Sequence, residues 1–336
     1  IARRLPLAIV KYYFGVDDLQ FGEEPYSLTQ IAQFYARTTY ANLPPKWQRD
    51  YRADGFETTQ DQTLLFWIRQ LFLEVFGNQY RIGYIRDMAK NASLEFVPKV
   101  DELIARKIAQ AESGDSVLDR LIEMYTNDYG LSGDSLVKAV RQSILELMVG
   151  STDTTAKGIA SVIKTILGLG QDLLSGLQAL LRDNPPGQQI LMNWLSNQRG
   201  HKDEALMNTM LDSVITQCLR MDPVAPLLPR FCANGATYTT EENEVLDIES
   251  GAVVCLVAKA TLAQALQNRE PARNETHIFM DGTPHGCMGH QIAMLEIREA
   301  VKLLLKYPKV RPVAGGAGQM KVKYSMPARM WLKWGE

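Results

Sequence analysis

The sequence Pro284-His-Gly-Cys-Met-Gly-His-Gln-Ile-Ala-Met-Leu-Glu296 places Cys287 just before a helical pattern. Apolar residues then recur at intervals of three and four, which predicts a helix that begins close to the cysteine and buries one face. A sulfur at a helix N-terminus lies beside unpaired backbone N–H groups and the positive end of the helix dipole, and both favour the thiolate. Cys287 is therefore predicted to be a thiolate able to bind a metal.

Two neighbours of Cys287 suit a flat cofactor. Gly289 has no side chain to collide with a planar group against the loop, and His285 can donate a hydrogen bond to a carboxylate at that group's edge. A lone cysteine is more often a small buried hydrophobic residue than a ligand, but the residues around Cys287 reverse these odds. His290 is a rival ligand, although its position inside the predicted helix favours a surface or packing role.

The segment resembles the haem-binding loop of the cytochrome P450 superfamily, whose pattern runs Phe-Gly-x-Gly-x-His/Arg-x-Cys-x-Gly-x-x-Leu/Ile-Ala-x-x-Glu. This resemblance implies a haem b cofactor with Cys287 as the iron ligand, and with His285 and Gly289 beside the haem. Met280 stands where the family has the phenylalanine that shields the sulfur, and two loop glycines are replaced. Because a thioether can also cover sulfur, we expect ligation to survive this change.

A second match, Gly150-Ser-Thr-Asp-Thr-Thr155, lies in a long, largely apolar helical run from 136 to 167. Glycine and threonine weaken a helix interior, and such a local fault often marks function. The segment resembles the family's Ala/Gly-Gly-x-Asp/Glu-Thr-Thr/Ser motif, which implies that the helix bends over the haem and that Asp153 and Thr154 deliver protons. The alternative interpretation is a solvated or capped helix break.

A third match joins Gln217-Cys-Leu-Arg220, a proline that ends the helix, and Leu-Pro-Arg230. It resembles the family's Glu-x-x-Arg helix and the strand that follows. The resemblance implies that Arg230 pairs with a haem propionate, a contact that suits the two-pronged guanidinium, whereas the alternative is a surface arginine at a strand end.

Gln217 departs from the family's glutamate, and the segment with that glutamate's second arginine partner is missing. A buried glutamine can be satisfied by neutral partners.

Periodicity predicts a mainly α chain with small β-sheets, helical over 1–222 and mixed β with the ligand region over 223–336. At 336 residues we expect a single domain over 1–336. With the three matches, this implies a cytochrome P450 fold that lacks its N-terminal part, because residues 1–16 resemble a stretch found well inside bacterial members. The chain is then predicted to be a piece of a longer polypeptide, for example one in which an upstream domain is fused to it.

Composition excludes several classes of protein. A formal net charge of −2 without a basic stripe argues against nucleic acid as a partner. Four well-separated cysteines indicate neither a zinc site nor a disulfide framework, and they fit a reducing compartment, so we expect a cytoplasmic protein. No apolar run reaches the roughly 18 residues of a spanning helix, so no transmembrane segment is predicted.

The resemblance implies a haem-thiolate monooxygenase that inserts oxygen into a small apolar or lipid-like substrate, using O2 and electrons from a ferredoxin or reductase. Two alternatives stay open. Residues 314–321 and 326–334 are similar to the tail of P450 domains in fatty-acid dioxygenase fusions, which favours a hydroperoxide isomerase, although Asp153 and Thr154 argue against it. Gln217 and the missing N-terminal part favour a degenerate haem-binding module without turnover.

Overall fold

The computed structural model describes residues 2–19, 59–77, 83–110, 114–197, 201–226, 228–240, 243–257, 276–279, 286–323 and 326–334. These ranges are mainly helical with short antiparallel strand pairs, which confirms the predicted fold class. Contacts divide the chain into two compact units, Ile1–Ala156 with Lys323–Met326 and Lys157–Val322 with Pro327–Glu336. The single domain over 1–336 stays a prediction. None of the described helices is both long enough and apolar enough to cross a membrane.

The N-terminal unit is built from helices. They are α1 (Arg4–Tyr12), α2 (Thr59–Phe72) with a π-helical turn at Leu73–Gly77, α3 (Gly83–Gln110), α4 (Val117–Asn127) and the first part of α5 (Gly133–Leu169). Their apolar faces form one core, in which Trp67, Phe96 and Ile144 are almost completely buried. Burying such large side chains is the main driving force for this packing.

Helix α5 carries the segment 150–155, and its preceding turns are firmly held in the N-terminal unit. Val140, Ile144 and Met148, spaced four residues apart, are fully buried on one face of the helix. On another face, Arg141 Nη1 donates a hydrogen bond to Asp101 Oδ2 of α3 at 2.6 Å. The helix therefore enters the segment 150–155 from a well-packed support.

The C-terminal unit combines helices with short strands. Its helices are the rest of α5, α6 (Leu173–Leu180), α7 (Pro185–Asn197), α8 (His201–Met221), α9 (Thr276–Phe279) and α10 (His290–Leu305). The strands are β1 (Leu228–Phe231), β2 (Ala236–Thr239), β3 (Val245–Ile248), β4 (Val253–Leu256), β5 (Arg311–Pro312), β6 (Lys321–Lys323), β7 (Met326–Arg329) and β8 (Leu332–Lys333). Antiparallel pairs form between β1 and β4, β2 and β3, and β5 and β8.

Helices α8 and α10 lie against each other and are joined by ion pairs. Arg298 Nη1 donates to both carboxylate oxygens of Asp212 at 2.8 Å, and Lys302 Nζ donates to Glu204 Oε1 at 3.3 Å. Apolar side chains are buried along both helices: Leu211, Ile215, Ile297 and Val301. Helix α5 also comes close to α10 at Gly158, where an added Cβ would lie 3.0 Å from Ile297 Cδ1. Helix α10 is thus held from two sides.

Candidate functional site

Cys287 lies immediately before α10, and its side chain is exposed. The helix begins at His290, close to the cysteine as the periodicity predicts. Its N-cap residue is Gly289, which provides no side-chain hydrogen bond to the first turn. A Cβ added to Gly289 would lie 3.8 Å from the Cys287 sulfur. The sulfur therefore lies against the N-terminus of α10, where backbone N–H groups and the helix dipole favour negative charge.

The backbone of Cys287 is bonded on both sides. Its N–H donates to the Phe279 carbonyl at 2.8 Å, and its carbonyl accepts a hydrogen bond from the His290 N–H at 3.2 Å. The rings of Phe279 and His290 are stacked, with centroids 3.9 Å apart and planes inclined by 18°. His290, the rival ligand in the sequence, thus has a packing contact through its ring face. The sequence predicted no role for Phe279. The signal that could have identified it is its position one residue before Met280, where the family pattern has a phenylalanine.

Asp153 lies on α5 and is almost fully buried, with 3% of its side chain exposed. Arg69 Nε of α2 donates to Asp153 Oδ1 at 3.2 Å, and the arginine side chain is 14% exposed. Because removing one partner of a buried pair leaves an uncompensated charge, this contact ties the position of the carboxylate to α2. Arg69 was not predicted, since a pairing between residues 84 positions apart has no local sequence signal.

The hydroxyl groups around Asp153 turn back onto their own helix. Thr152 and Ser151 donate to the Met148 carbonyl at 2.8 and 3.4 Å, and Thr154 donates to the Gly150 carbonyl. Helix α5 remains α-helical through this segment, so the predicted bend is not a break in the hydrogen-bonded helix. Such bonds to the preceding turn slightly destabilise a helix, and each hydroxyl oxygen keeps lone pairs that can accept a further hydrogen bond.

The remaining predicted cofactor-binding residues are Arg230 and His285. Arg230 lies on β1 opposite Val254 of β4 and is partly buried. His285 and Met280 lie outside the described residues. The structure brings Cys287 together with Gly289 in the C-terminal unit, and Asp153 lies beside Thr154 on α5 at the end of the N-terminal unit.

The altered Glu-x-x-Arg segment lies in the last turns of α8. Arg220 is buried, and its Nε has no hydrogen-bond partner within the part of the chain that the structure describes. Gln217, one turn earlier, is partly buried. A buried cation near a neutral amide agrees with the interpretation that the family's ionic cluster is altered here.

The residues around Cys287 fit a haem. The oxygen-activating haem-thiolate enzymes take one cysteine ligand from the protein, so a single exposed cysteine is the donor that a haem would require here. Cys287 is exposed, and Gly289 has no side chain that would approach its sulfur. Among the described residues, no group of three or more His, Cys, Asp and Glu side chains is placed to bind a metal ion.

Glu296 lies on α10 beyond the cysteine and is buried, and its Oε2 has no hydrogen-bond partner among the described residues. Burial raises the pKa of Glu296 to about 8, from 4.5 in an exposed glutamate. The unfolded chain therefore ionises at lower pH than the folded protein does. As far as Glu296 is concerned, the free energy of unfolding is therefore highest below pH 4.5, and it falls as the pH rises to about 8.

Replacing Glu296 with glutamine is expected to remove this pH dependence. The free energy of unfolding of the wild type should fall by on the order of a few kcal/mol between pH 5 and pH 8.5, since each pKa unit corresponds to about 1.4 kcal/mol. Urea unfolding at both pH values measures the difference. The variant Glu249→Gln, at an exposed position, is the matched control and should keep the wild-type dependence. An unchanged pH dependence in Glu296→Gln would contradict the prediction.

No protein-family model and no curated protein sequence matches this chain. Solved structures do match. The open cytochrome P450 EryK from S. erythraea has a TM-score of 0.55 and 12% identity, over 94% of this chain and 62% of EryK. Retinoic acid-bound cyanobacterial CYP120A1 has a TM-score of 0.56 and 14% identity, over 97% of this chain and 71% of its own. HmtT, which is involved in himastatin biosynthesis, has a TM-score of 0.60 and 15% identity, over 97% and 66%.

The match extends along nearly all of this chain but only part of each structure, since the chain spans 62% of EryK and 71% of CYP120A1. This agrees with the prediction that the chain corresponds to part of the fold. Identities of 12 to 15% mean that the similarity is one of fold. The mainly helical body, the small sheets and the similarity to these structures lead to one conclusion: the chain has the cytochrome P450 fold.

Proposed function

We propose that the protein is a haem-thiolate monooxygenase in which Cys287 would bind the haem iron. The observation that carries this proposal is an exposed cysteine at the N-terminus of α10 in a chain with the cytochrome P450 fold. Bound haem b would supply oxygen activation, because a thiolate donates electron density to iron and favours O–O cleavage. The protein supplies the ligand, the orientation and the protons.

Four residues would hold the cofactor. Cys287 binds the iron, and Gly289 leaves room for the porphyrin beside it. Arg230 and His285 would bind the propionates, since a guanidinium and an imidazole both donate hydrogen bonds to carboxylates. The position of Arg230 on the paired strand β1 supports this role, because its backbone is held opposite β4.

Asp153 and Thr154 would deliver protons to the reacting oxygen. In the structure Asp153 is paired with Arg69, and the Thr154 hydroxyl donates to the Gly150 carbonyl. Asp153 and Thr154 would together relay protons, because a carboxyl group and a hydroxyl group can both take part in proton transfer along hydrogen bonds. Asp153 is the candidate general acid, and its ion pair with Arg69 fixes the position of the carboxyl group.

The substrate class is a small apolar or lipid-like molecule. Two structures with the same fold support this class, since they hold retinoic acid and hexadec-9Z-enoic acid on an acyl carrier protein. Electrons would come from a ferredoxin or a reductase, because the sequence contains no flavin or iron–sulfur motif. We expect these encounters in the cytoplasm.

The test is turnover of the haem-loaded full chain under two conditions. With O2, NADPH and a surrogate ferredoxin and reductase, we expect an oxygenated product from apolar probes such as fatty acids, with no product when O2 or reductant is omitted. A fatty-acid hydroperoxide under anaerobic conditions without NADPH should not be consumed. Rapid anaerobic isomerisation of the hydroperoxide would instead establish the isomerase alternative. Haem binding without any substrate-induced spectral change would favour the degenerate module.

A further inference from the structure

Two backbone hydrogen bonds of Cys287 join it to Phe279 and His290, whose rings also contact each other. Phe279 accepts a hydrogen bond from the Cys287 N–H at 2.8 Å, and the His290 N–H donates to the Cys287 carbonyl at 3.2 Å. The two aromatic rings then stack on each other, with centroids 3.9 Å apart. Phe279 and His290 are thus linked in two ways. Their rings are stacked on each other, and both residues are hydrogen-bonded to the backbone of Cys287.

We propose that the stacked pair Phe279–His290 is a positioning device that fixes the backbone of Cys287, and hence the direction in which its side chain leaves the backbone, before the cofactor binds. This inference rests on the proposed function, since it concerns the orientation of the haem ligand. The N–H and the carbonyl of Cys287 are both engaged in backbone hydrogen bonds, and their partners are the two residues that carry the stacked rings. A ligand that is ordered in advance loses less freedom when its cofactor arrives.

Both rings stand on elements that are fixed to α8. Phe279 is the last residue of α9, which packs against α8. His290 is the first residue of α10, and Arg298 in the same helix binds both carboxylate oxygens of Asp212 in α8. The stack therefore connects α9 with α10. Both helices are anchored to α8, and Cys287 lies between them in the sequence.

The contact between the rings uses their faces. With planes inclined by only 18°, the stack needs a flat ring at position 290 and does not depend on the imidazole nitrogens. Phenylalanine at 290 should therefore replace histidine, whereas glutamine keeps a polar donor but loses the ring. This pair of variants separates a stacking role of His290 from roles as a hydrogen-bond donor or as an iron ligand.

Hydrogen exchange of the Cys287 amide in the cofactor-free full chain tests the proposal. We expect His290→Gln and Phe279→Leu to raise its exchange rate by up to about tenfold, the upper end for one aromatic pair. His290→Phe and Phe279→Tyr keep the stack and should stay within about twofold of the wild type. Amides in the middle of α10 should be unchanged in all four variants, which shows that the helix itself is intact.

Two results would overturn the proposal. One is His290→Phe exchanging as fast as His290→Gln, which would assign the effect to the imidazole nitrogens. The other is wild-type exchange in all four variants. In the haem-loaded protein, His290→Gln should lose part of the thiolate-type CO band, and His290→Phe should keep it. Because the exchange is measured without haem, failure of the wild type to bind haem would contradict the proposed function but not this inference.

Discussion

Replacing Cys287 with serine is expected to abolish turnover and to weaken haem binding by more than the ~10–100-fold that loss of a residue supporting a metal ligand costs. A serine hydroxyl keeps its proton at neutral pH and cannot donate electron density as a thiolate does. Haem titration of the purified variant and product formation with O2 and a reductase surrogate measure the two effects. The exposed position of Cys287 means that the substitution removes no core packing.

Cys255→Ser is the matched control for this prediction. Cys255 is also an exposed cysteine, and it lies on β4. A serine there should leave haem affinity and turnover at the wild-type level. The proposed role of Cys287 as the iron ligand would be contradicted if Cys287→Ser bound haem and formed product as the wild type does. It would also be contradicted if Cys255→Ser had the larger effect.

Asp153→Asn is expected to lower kcat by about 10²- to 10⁴-fold, the range typical for loss of a general acid, with little change in KM. The amide has nearly the same shape as the carboxylate but cannot take up and release the proton. It still accepts a hydrogen bond from Arg69 through its carbonyl oxygen, so the fold around position 153 should persist. Steady-state kinetics of the haem-loaded variant give kcat and KM separately, and thermal unfolding reports whether the variant is folded.

Asp134→Asn provides the control on the same helix, since Asp134 lies exposed in the first turn of α5. It should leave both kinetic constants unchanged. Arg69→Gln addresses the ion pair directly, because it removes the cation and leaves the buried carboxylate at position 153. A kcat for Asp153→Asn equal to that of the wild type would rule out this residue as the proton donor, whatever the effect at position 69.

The helices that carry the candidate site could be predicted from the sequence, because their apolar residues repeat at helical spacing. The run from 136 to 167 predicts a long helix, and α5 spans Gly133–Leu169. The pattern after Cys287 likewise predicts α10, which spans His290–Leu305. Burial of one face is a local property of the sequence, and it therefore leaves a readable pattern.

Strand β2 could not be predicted from the pattern of apolar residues. Ala236–Thr239 is exposed at every position, so it lacks the alternation of buried and exposed residues that predicts a strand. Its pairing with β3 follows a turn in which Asn243 has a φ of 64°, a conformation that asparagine tolerates better than most residues. The strand is a consequence of the turn and its partner, and its own sequence carries little signal.

The contacts of the candidate site could not be predicted, although its residue types could. Arg69 meets Asp153 from a different helix, and Phe279 meets His290 across a stretch of sequence with no periodic pattern. Such pairs depend on how elements pack, and a single sequence does not record that packing. The motif around Cys287 directs attention to Met280, whereas the described aromatic contact is made by its neighbour Phe279.

The most direct test of the central claim is the CO-difference spectrum of the reduced, haem-loaded protein. The account predicts a thiolate-type band in the wild type that disappears in Cys287→Ser and persists in Cys255→Ser. Either of two results would contradict it: no uptake of haem by the wild type, or a band that is unchanged when Cys287 is replaced.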